Sequence, residues 1–447
     1  MWTEPLYGAE EMRRAEAGHD LEALIGQAGR AVAELVLRDF AAARELTVVC
    51  GPGNNGADGR VAARHLEQAG RSVRVVDSKA AEEQDLGRPD VLVDALFGTG
   101  FSGEPRPAAA TLIERMNALG AEIVSVDVPS GVDASTGEVA GAAVDARTTI
   151  ALHGEKVGLH VAPGSYRSGS VRSVPIGLEP VETEHARVLP GILELVPRRR
   201  PRDTKYTAGS VLVVGGAGGT TGAAALTARA ALRADAGYVA IAAPAESLPV
   251  LEMLVLEAVK RPLDEAFEAA GRAGALAIGP GLGRSEDRKA LVRRLLRETD
   301  LPAVVDADGL HGLEPHARSA PLVLTPHSGE LAQLLGEEPR WVDEHRLQAA
   351  RRAVERFGCV VLLKGSSTLV AAPGEGVLVC PGPPSLATAG TGDVLTGILG
   401  AFLAKGLDPR LAAAAAATAH AEAARRAPRQ AGLIASDVVE ALPGVLG

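Results

Sequence analysis

Short apolar runs rich in Val, Ile and Leu alternate with amphipathic stretches along almost the whole chain. Such runs are buried on both faces when they pair as parallel strands, and the stretches between them supply covering helices. In the first half the pattern predicts strands LTVVC (46–50), SVRVVD (72–77), DVLVDALF (90–97), EIVSVDV (122–128) and RTTIAL (147–152), after a long helical region over 9–43. A second series follows: SVLVVGG (210–216), YVAIAAP (238–244), ALAIGPG (275–281), PAVVDADG (302–309), PLVLTPH (321–327) and CVVLLKG (359–365). Between them VPRRRPRDTKYT (196–207), proline and basic without periodicity, reads as a linker. The prediction is an α/β protein of two tandem three-layer α/β/α domains, 1–200 and 201–447.

Composition narrows the class. With 46 basic against 56 acidic residues the net charge is −10, which argues against nucleic-acid binding. Cys50, Cys359 and Cys380 are widely spaced and lie in or beside apolar runs, so they read as buried thiols in a reducing compartment. No window approaches the ~18 apolar residues of a spanning helix, and the start MWTEPLYGAEEMRRAE has no apolar signal segment. The expectation is a cytoplasmic protein without a membrane partner. The alanine run 412–417 reads as a packed helix. Only three Asn occur, and two of them, Asn54 and Asn55, are neighbours in one glycine-rich loop.

That loop is GPGNNGADG (51–59), followed by a helical run and a strand ending in Asp77. Its glycines permit a tight turn and bring backbone N–H groups at a helix start close to a diphosphate. A plain βα turn would need the glycines but not Asn54, Asn55 and Asp58. Further polar clusters end other strands: Asp94 before GTGFSG (98–103), Asp127 before Ser130-Gly131, with Asp133 beyond, and Glu155-Lys156. In an open parallel sheet these ends share one edge and can converge on one crevice. Oxygen ligands from Asn55, Asp94 and Ser130 would suit a hard cation better than zinc, and the residues alone do not choose the ion.

GPGNNGADG, DALFGTGFSGE, VDVPSGVDASTG and EKVGL, in this order and spacing, resemble the NAD(P)H-hydrate epimerase domain that opens bifunctional hydrate-repair proteins. The resemblance spans nearly all of 1–200 and implies a Rossmann-like fold. It also implies a substrate diphosphate and ribose held by Asn54, Asn55, Gly56, Ala57, Asp58, Gly98, Thr99, Gly100, Phe101, Ser102, Gly103 and Glu104. Potassium would sit at Asn55, Asp94 and Ser130, with Asp127 at the reacting ring as acid or base. The family loop usually reads GNNGGDG; Ala57 replaces a glycine, which is strained at positive φ and harmless in the first turn of a helix.

In the second half AGTGDVLTG (389–397) runs straight into a helical stretch, where backbone N–H groups can receive an anion and Asp393 can take a proton. Lys364 to Thr368 place a rare lysine and hydroxyls after a strand. GGAGGTTG (215–222) lacks the ending of a Walker P-loop. VLVVGGAGGTTGA, IGPGLGR, VVDADGL, LTPHSGE, LKGSST and ATAGTGDVLTG together resemble the ribokinase-like, nucleotide-dependent NAD(P)H-hydrate dehydratases over about 201–447. The resemblance implies Gly281 and His327 at the hydrated nucleotide, Lys364, Gly365, Ser366, Ser367, Thr368 and Gly392 at ADP, and Asp393 at the C6 hydroxyl. Mg²⁺ would neutralise the nucleotide phosphates. Asp306 and Asp308 could hold it through water or simply shape the strand end. His153, His160, His311 and His420 read as structural or exposed.

The implied function is metabolite repair: the first domain interconverts R and S forms of NADHX and NADPHX, and the second dehydrates the S form with ADP as co-substrate, giving AMP and phosphate. A homo-oligomer, a tetramer or larger, is expected. Three other readings compete: a kinase for a vitamin-precursor alcohol, a first domain that binds without catalysis, and a dehydrogenase using the GPGNNG loop. The kinase leaves the first half unexplained, and no hydride-transfer constellation supports the dehydrogenase.

Overall fold

Strand Glu45–Cys50 shows why the first sheet is covered on both sides. From Leu46 onward every residue is buried. Val48 and Cys50 pack with Val32, Val36, Ala62 and Leu66 of helices Leu21–Asp39 and Asn54–Gln68. Val49 points the other way, to Leu112, Ile113 and Met116 of helix Pro107–Ala118. The two-residue period of a strand thus feeds two apolar layers.

The computed structural model describes residues 1–79 and 85–447. They divide into an N-terminal unit, Pro5–Ala186 with Asp343–Leu347, and a C-terminal unit, Met1–Glu4, Arg187–Val342 and Gln348–Gly447. The N-terminal sheet is parallel in the order Ser72–Asp77, Glu45–Cys50, Val91–Ala95, Glu122–Val126, Thr148–Leu152, Ser170–Val174. The chain leaves Glu45–Cys50 toward one side and returns on the other, so a crevice opens between the ends of Glu45–Cys50 and Val91–Ala95.

The C-terminal sheet runs Val259–Pro262, Tyr238–Ala243, Ser210–Val214, Ala275–Ile278, Ala303–Val305, Leu322–Leu324, Val360–Leu363, all parallel. Ser367–Ala371 and Leu378–Pro381 extend it antiparallel. His185–Val188 and Thr3–Leu6 complete the order. Its strand order reverses between Ser210–Val214 and Ala275–Ile278. Helix Thr391–Ala404 is buried on nearly every side, as its apolar composition requires. The alanine run lies inside helix Pro409–Arg426, capped by Asp408, whose carboxylate accepts from Arg410 N at 3.0 Å.

Several elements differ from the sequence expectation. The helical region 9–43 is two helices, Ala9–Glu16 and Leu21–Asp39; Gly18 at φ 83° breaks it and Asp20 caps the restart. Ser170–Val174 and Val259–Pro262 are edge strands with few buried side chains, so they leave no apolar run to find. All three cysteines are buried, and burial pushes Cys50 up to about 11 and Cys359 and Cys380 up to about 12.

Candidate active sites

In the N-terminal unit the first crevice wall is the turn from Cys50 into helix Asn54–Gln68. Close approach dictates its glycines: a Cβ on Gly56 would lie 1.9 Å from Gly51 O, and one on Gly51 1.9 Å from Leu96 O. Gly53 at the cap has no side chain to satisfy the first helical N–H groups, which leaves them for a ligand. Ala57 lies in the first helical turn, outside the positive-φ residues, so its methyl group causes no backbone strain.

A cavity of about 490 Å³ opens here. Asn54, Asn55, Asp58, Gly98, Thr99, Gly100, Phe101 and Asp127 line it. Ser102, Gly103 and Glu104 are exposed and fall outside its lining. Phe97 and Phe101 stack at 4.8 Å, forming an aromatic wall. Arg13, Glu16, Leu21, Leu24 and Ile25 close the other side. Nothing in the sequence singles out these five, because an amphipathic helix looks the same whether its apolar stripe faces core or ligand.

Asp127 sits at the cavity with φ 69°, a left-handed conformation rare for a residue with a side chain. Its Oδ2 accepts from Thr99 N at 2.9 Å and Thr99 Oγ1 at 2.6 Å, and its Oδ1 is ion-paired with Lys156 Nζ. Burial opposes its charge, but the Lys156 ammonium and the bonds from Lys156 and Thr99 prevail and hold the carboxyl below its usual range. Asp58 is displaced the other way: burial first, then Asp127 and Glu16, push it up to about 8. Lys156 stands in a polar cluster of the sequence, yet only the fold shows that it faces Asp127.

Beneath the cavity Asp94 is completely buried. Its oxygens accept from Ser130 Oγ (2.6 Å), Ser130 N (2.9 Å), Ser125 Oγ (2.8 Å) and Leu96 N (3.2 Å), all neutral donors. Burial raises its carboxyl despite them. Asn55 donates through Nδ2 to Phe97 O at 2.8 Å, while its buried Oδ1 has no hydrogen-bond partner. An unanswered carbonyl oxygen near a buried carboxylate fits an oxygen-coordinated cation.

In the C-terminal unit Gly281 (φ 61°) lies where the strand order reverses, and its carbonyl accepts from Thr220 Oγ1 at 3.0 Å and Ala217 N at 2.6 Å. A Cβ there would meet Thr220 O at 2.5 Å, so only glycine closes this turn. His327 caps helix Ser328–Leu335: its Nδ1 accepts from Gly329 N (3.0 Å) and Glu330 N (3.3 Å). Lys364 Nζ is 2.6 Å from Asp306 Oδ1 and 3.6 Å from Glu330 Oε2. Asp306 Oδ2 takes Thr396 Oγ1 at 2.8 Å. Asp393 stands in the first turn of helix Thr391–Ala404, pushed up to about 7 by burial, then by Asp306, with Lys364 opposing. Gly392 is close enough for a Cβ to meet Lys364 Nζ at 3.6 Å.

Gly365 and Ser366 are exposed beside this cluster, whereas Ser367 and Thr368 begin the antiparallel strand Ser367–Ala371. Asp308 is occupied by Gly283 N at 3.0 Å and Arg284 Nε at 2.7 Å. Both carboxylates, Asp306 and Asp308, are thus engaged by protein groups. Among the described residues no group of three or more His, Cys, Asp or Glu is placed to hold a metal ion. His153 and His420 are structural: His153 packs on the Tyr7 ring at 5.1 Å, and burial pushes His420 down to about 4. His160 Nε2 pairs with Glu155 at 2.7 Å.

Two family profiles match. One, described as NAD(P)H-hydrate dehydratase, covers residues 211–443; the other, YjeF-related protein N-terminus, covers 21–86 and 76–158. A relative from Salinibacter ruber, named as a bifunctional NAD(P)H-hydrate repair enzyme, is 38% identical over 90% of this chain and 87% of its own length. The Escherichia coli relative of the same name is 35% identical over 93% of this chain and 88% of its own. Among solved structures, the Bacillus subtilis ADP/ATP-dependent NAD(P)H-hydrate dehydratase, co-crystallised with ATP and Mg²⁺, has TM-score 0.53 and 29% identity over 57% of this chain and 94% of its own. A ribokinase-like protein from Enterococcus faecalis shares the fold of that region, with TM-score 0.54 and 22% identity over 60% of this chain and 97% of its own.

Proposed function

The chain belongs to the bifunctional NAD(P)H-hydrate repair enzymes, and from that membership we propose that its two units act in sequence. The N-terminal unit interconverts R and S hydrates of NADH or NADPH, and the C-terminal unit dehydrates the S form. One observation supports this most directly: each unit has an aspartate with a displaced carboxyl at its candidate site, Asp127 buried and held below its usual range and Asp393, half-buried at a helix start, pushed up to about 7.

In the first step the cavity takes the hydrated nucleotide, with helix start 54–58 and loop 98–101 at its phosphate and ribose groups. Asp127 moves a proton at the hydroxyl-bearing carbon while Thr99 fixes its second oxygen. Potassium would be held by Asn55, Asp94 and Ser130, and when bound it supplies a fixed positive charge for the anionic substrate.

In the second step Asp393 takes the proton of the C6 hydroxyl as that oxygen attacks the terminal phosphate of ADP, and AMP leaves. Helix start 391–393 and Lys364 receive the phosphate charge. The ring nitrogen's electrons then expel phosphate from C6, and loss of a proton from C5 forms the C5–C6 double bond and restores the reduced nicotinamide. Mg²⁺ would be carried by the nucleotide and would neutralise its phosphates there. His327 and Gly281 border the hydrated ring, and Lys364 to Thr368 with Gly392 border ADP.

No described helix is long and apolar enough to cross a membrane. A cytoplasmic homo-oligomer completes the reading; Met253 (83% exposed) and Leu256 (80%) support association. Light scattering of the purified protein tests it.

The deciding experiment follows recovery of nicotinamide absorbance from mixed R and S hydrates with ADP, Mg²⁺ and K⁺. Wild type recovers both epimers, Asp127→Ala stops at the S fraction, and Asp393→Asn recovers neither. Full recovery of the R form by Asp127→Ala removes the proton-transfer role, and no recovery by wild type with ADP or ATP overturns the function.

A further inference from the structure

Among the described residues Lys156 is one of the largest fully buried side chains, and the only charged one of that group. It does not line the cavity, whereas Asp127 does. Its ammonium pairs with Asp127 Oδ1 and donates to Leu152 O at 2.6 Å, while Leu152 N approaches the same Oδ1 at 3.4 Å. A buried ammonium loses so much hydration that a pair like this rarely improves stability over apolar packing. Its retention therefore needs another explanation.

The backbone around it is held as firmly. Tyr7 N donates to Glu155 O at 2.9 Å, Val157 N to Tyr7 O at 3.1 Å, and Leu159 N to Lys156 O at 3.1 Å. A Cβ on Gly154 would lie 2.3 Å from the Tyr7 ring, so this turn has no slack. Asp127 is fixed from the opposite side by Thr99 and keeps its left-handed backbone. The other charged groups around the pair are Glu16 on helix Ala9–Glu16, Asp58 on helix Asn54–Gln68, Arg13 at the cavity rim and His153 beside Lys156. Glu16 and Asp58 are acids and oppose a charged Asp127; Lys156 is the cation that answers them.

We propose that Lys156 is a positioning residue for epimerisation: without touching substrate, it keeps Asp127 ionised and aims its carboxylate at the reacting carbon. This rests on Asp127 being the proton-transfer group.

The test uses full-length protein and the pH profile of R/S interconversion, followed by chromatographic separation of the epimers. In wild-type kcat/KM the limb reporting Asp127 lies below about pH 5, apart from a limb near about pH 8 where Asp58 titrates. In Lys156→Met the limb moves up by about one unit or more; kcat falls up to about tenfold in the pH range the limb has crossed, recovers as pH rises, and KM changes little. Lys156→Arg restores the position of the limb. A wild-type profile whose limb for Asp127 is centred between about pH 6 and about pH 7, readable without any variant, overturns the proposal. So does a folded Lys156→Met with an unmoved limb. Wild type that fails to interconvert the epimers overturns the epimerase reading and this inference with it; interconversion with an unmoved limb overturns this inference alone.

Discussion

Replacing Gly56 by alanine should silence one activity and spare the other. The new Cβ would start 1.9 Å from Gly51 O, a backbone atom that cannot rotate away, whereas real Cβ contacts stay above 3.0 Å. The helix start must therefore retreat by about 1 Å, carrying Asn54, Asn55 and Asp58 with it. Overpacking of this kind costs about 1–3 kcal/mol, tolerable for the fold. A displacement of about 1 Å at groups that orient a substrate costs about a hundredfold in rate. The C-terminal unit supplies the control within the same molecule. With pure S hydrate, ADP and Mg²⁺, Gly56→Ala should restore nicotinamide absorbance at the wild-type rate; with pure R hydrate the rate should fall about a hundredfold. Equal rates on both epimers would refute the geometric argument, and loss of both would show that the substitution unfolds the chain.

Three further outcomes follow from the same geometry. Asp393 must be ionised to act as a base, so dehydratase kcat/KM should rise through a limb near about pH 7, with the rate at pH 6 about a tenth of the plateau; Asp306→Asn, removing a charge that raises Asp393, should move that limb down, and a flat profile refutes the assignment. Ser130→Ala strips a 2.6 Å bond from buried Asp94 and the acceptor of Phe97 N, and should cost about 1–3 kcal/mol by denaturant titration; an unchanged midpoint would show that the site relaxes freely. The three cysteines should ignore a thiol reagent in the native protein and all react in denaturant; native labelling would contradict their burial.

What the sequence reveals depends on how a residue makes its contribution. Strands buried on both faces are read directly, because Val48, Val49 and Cys50 must all be apolar whichever layer they meet. Edge strands such as Ser170–Val174 have no such requirement and look like loops. Glycine loops at the strand-order reversals are legible because Gly51, Gly56 and Gly281 are dictated by close approach or by φ. Partnerships across the fold are not: Lys156 with Asp127 and Lys364 with Asp306 join residues that are distant or unpatterned in sequence. The partners of Asp306 and Asp308, among them Thr396, Gly283 and Arg284, likewise become readable only in the fold.

The Lys364 ion pair has a consequence for how strongly the second site grips its nucleotide. The ammonium is already answered by Asp306 at 2.6 Å and Glu330 at 3.6 Å. A phosphate entering here does not meet a bare positive charge; it exchanges places with resident carboxylates. On the proposed reading much of the Coulombic gain is offset in that exchange, which would hold affinity down and let the product nucleotide go. In the proposed cycle, once AMP departs the lysine falls back onto its own acids, and the ammonium of the empty site is answered without waiting for ions from solution.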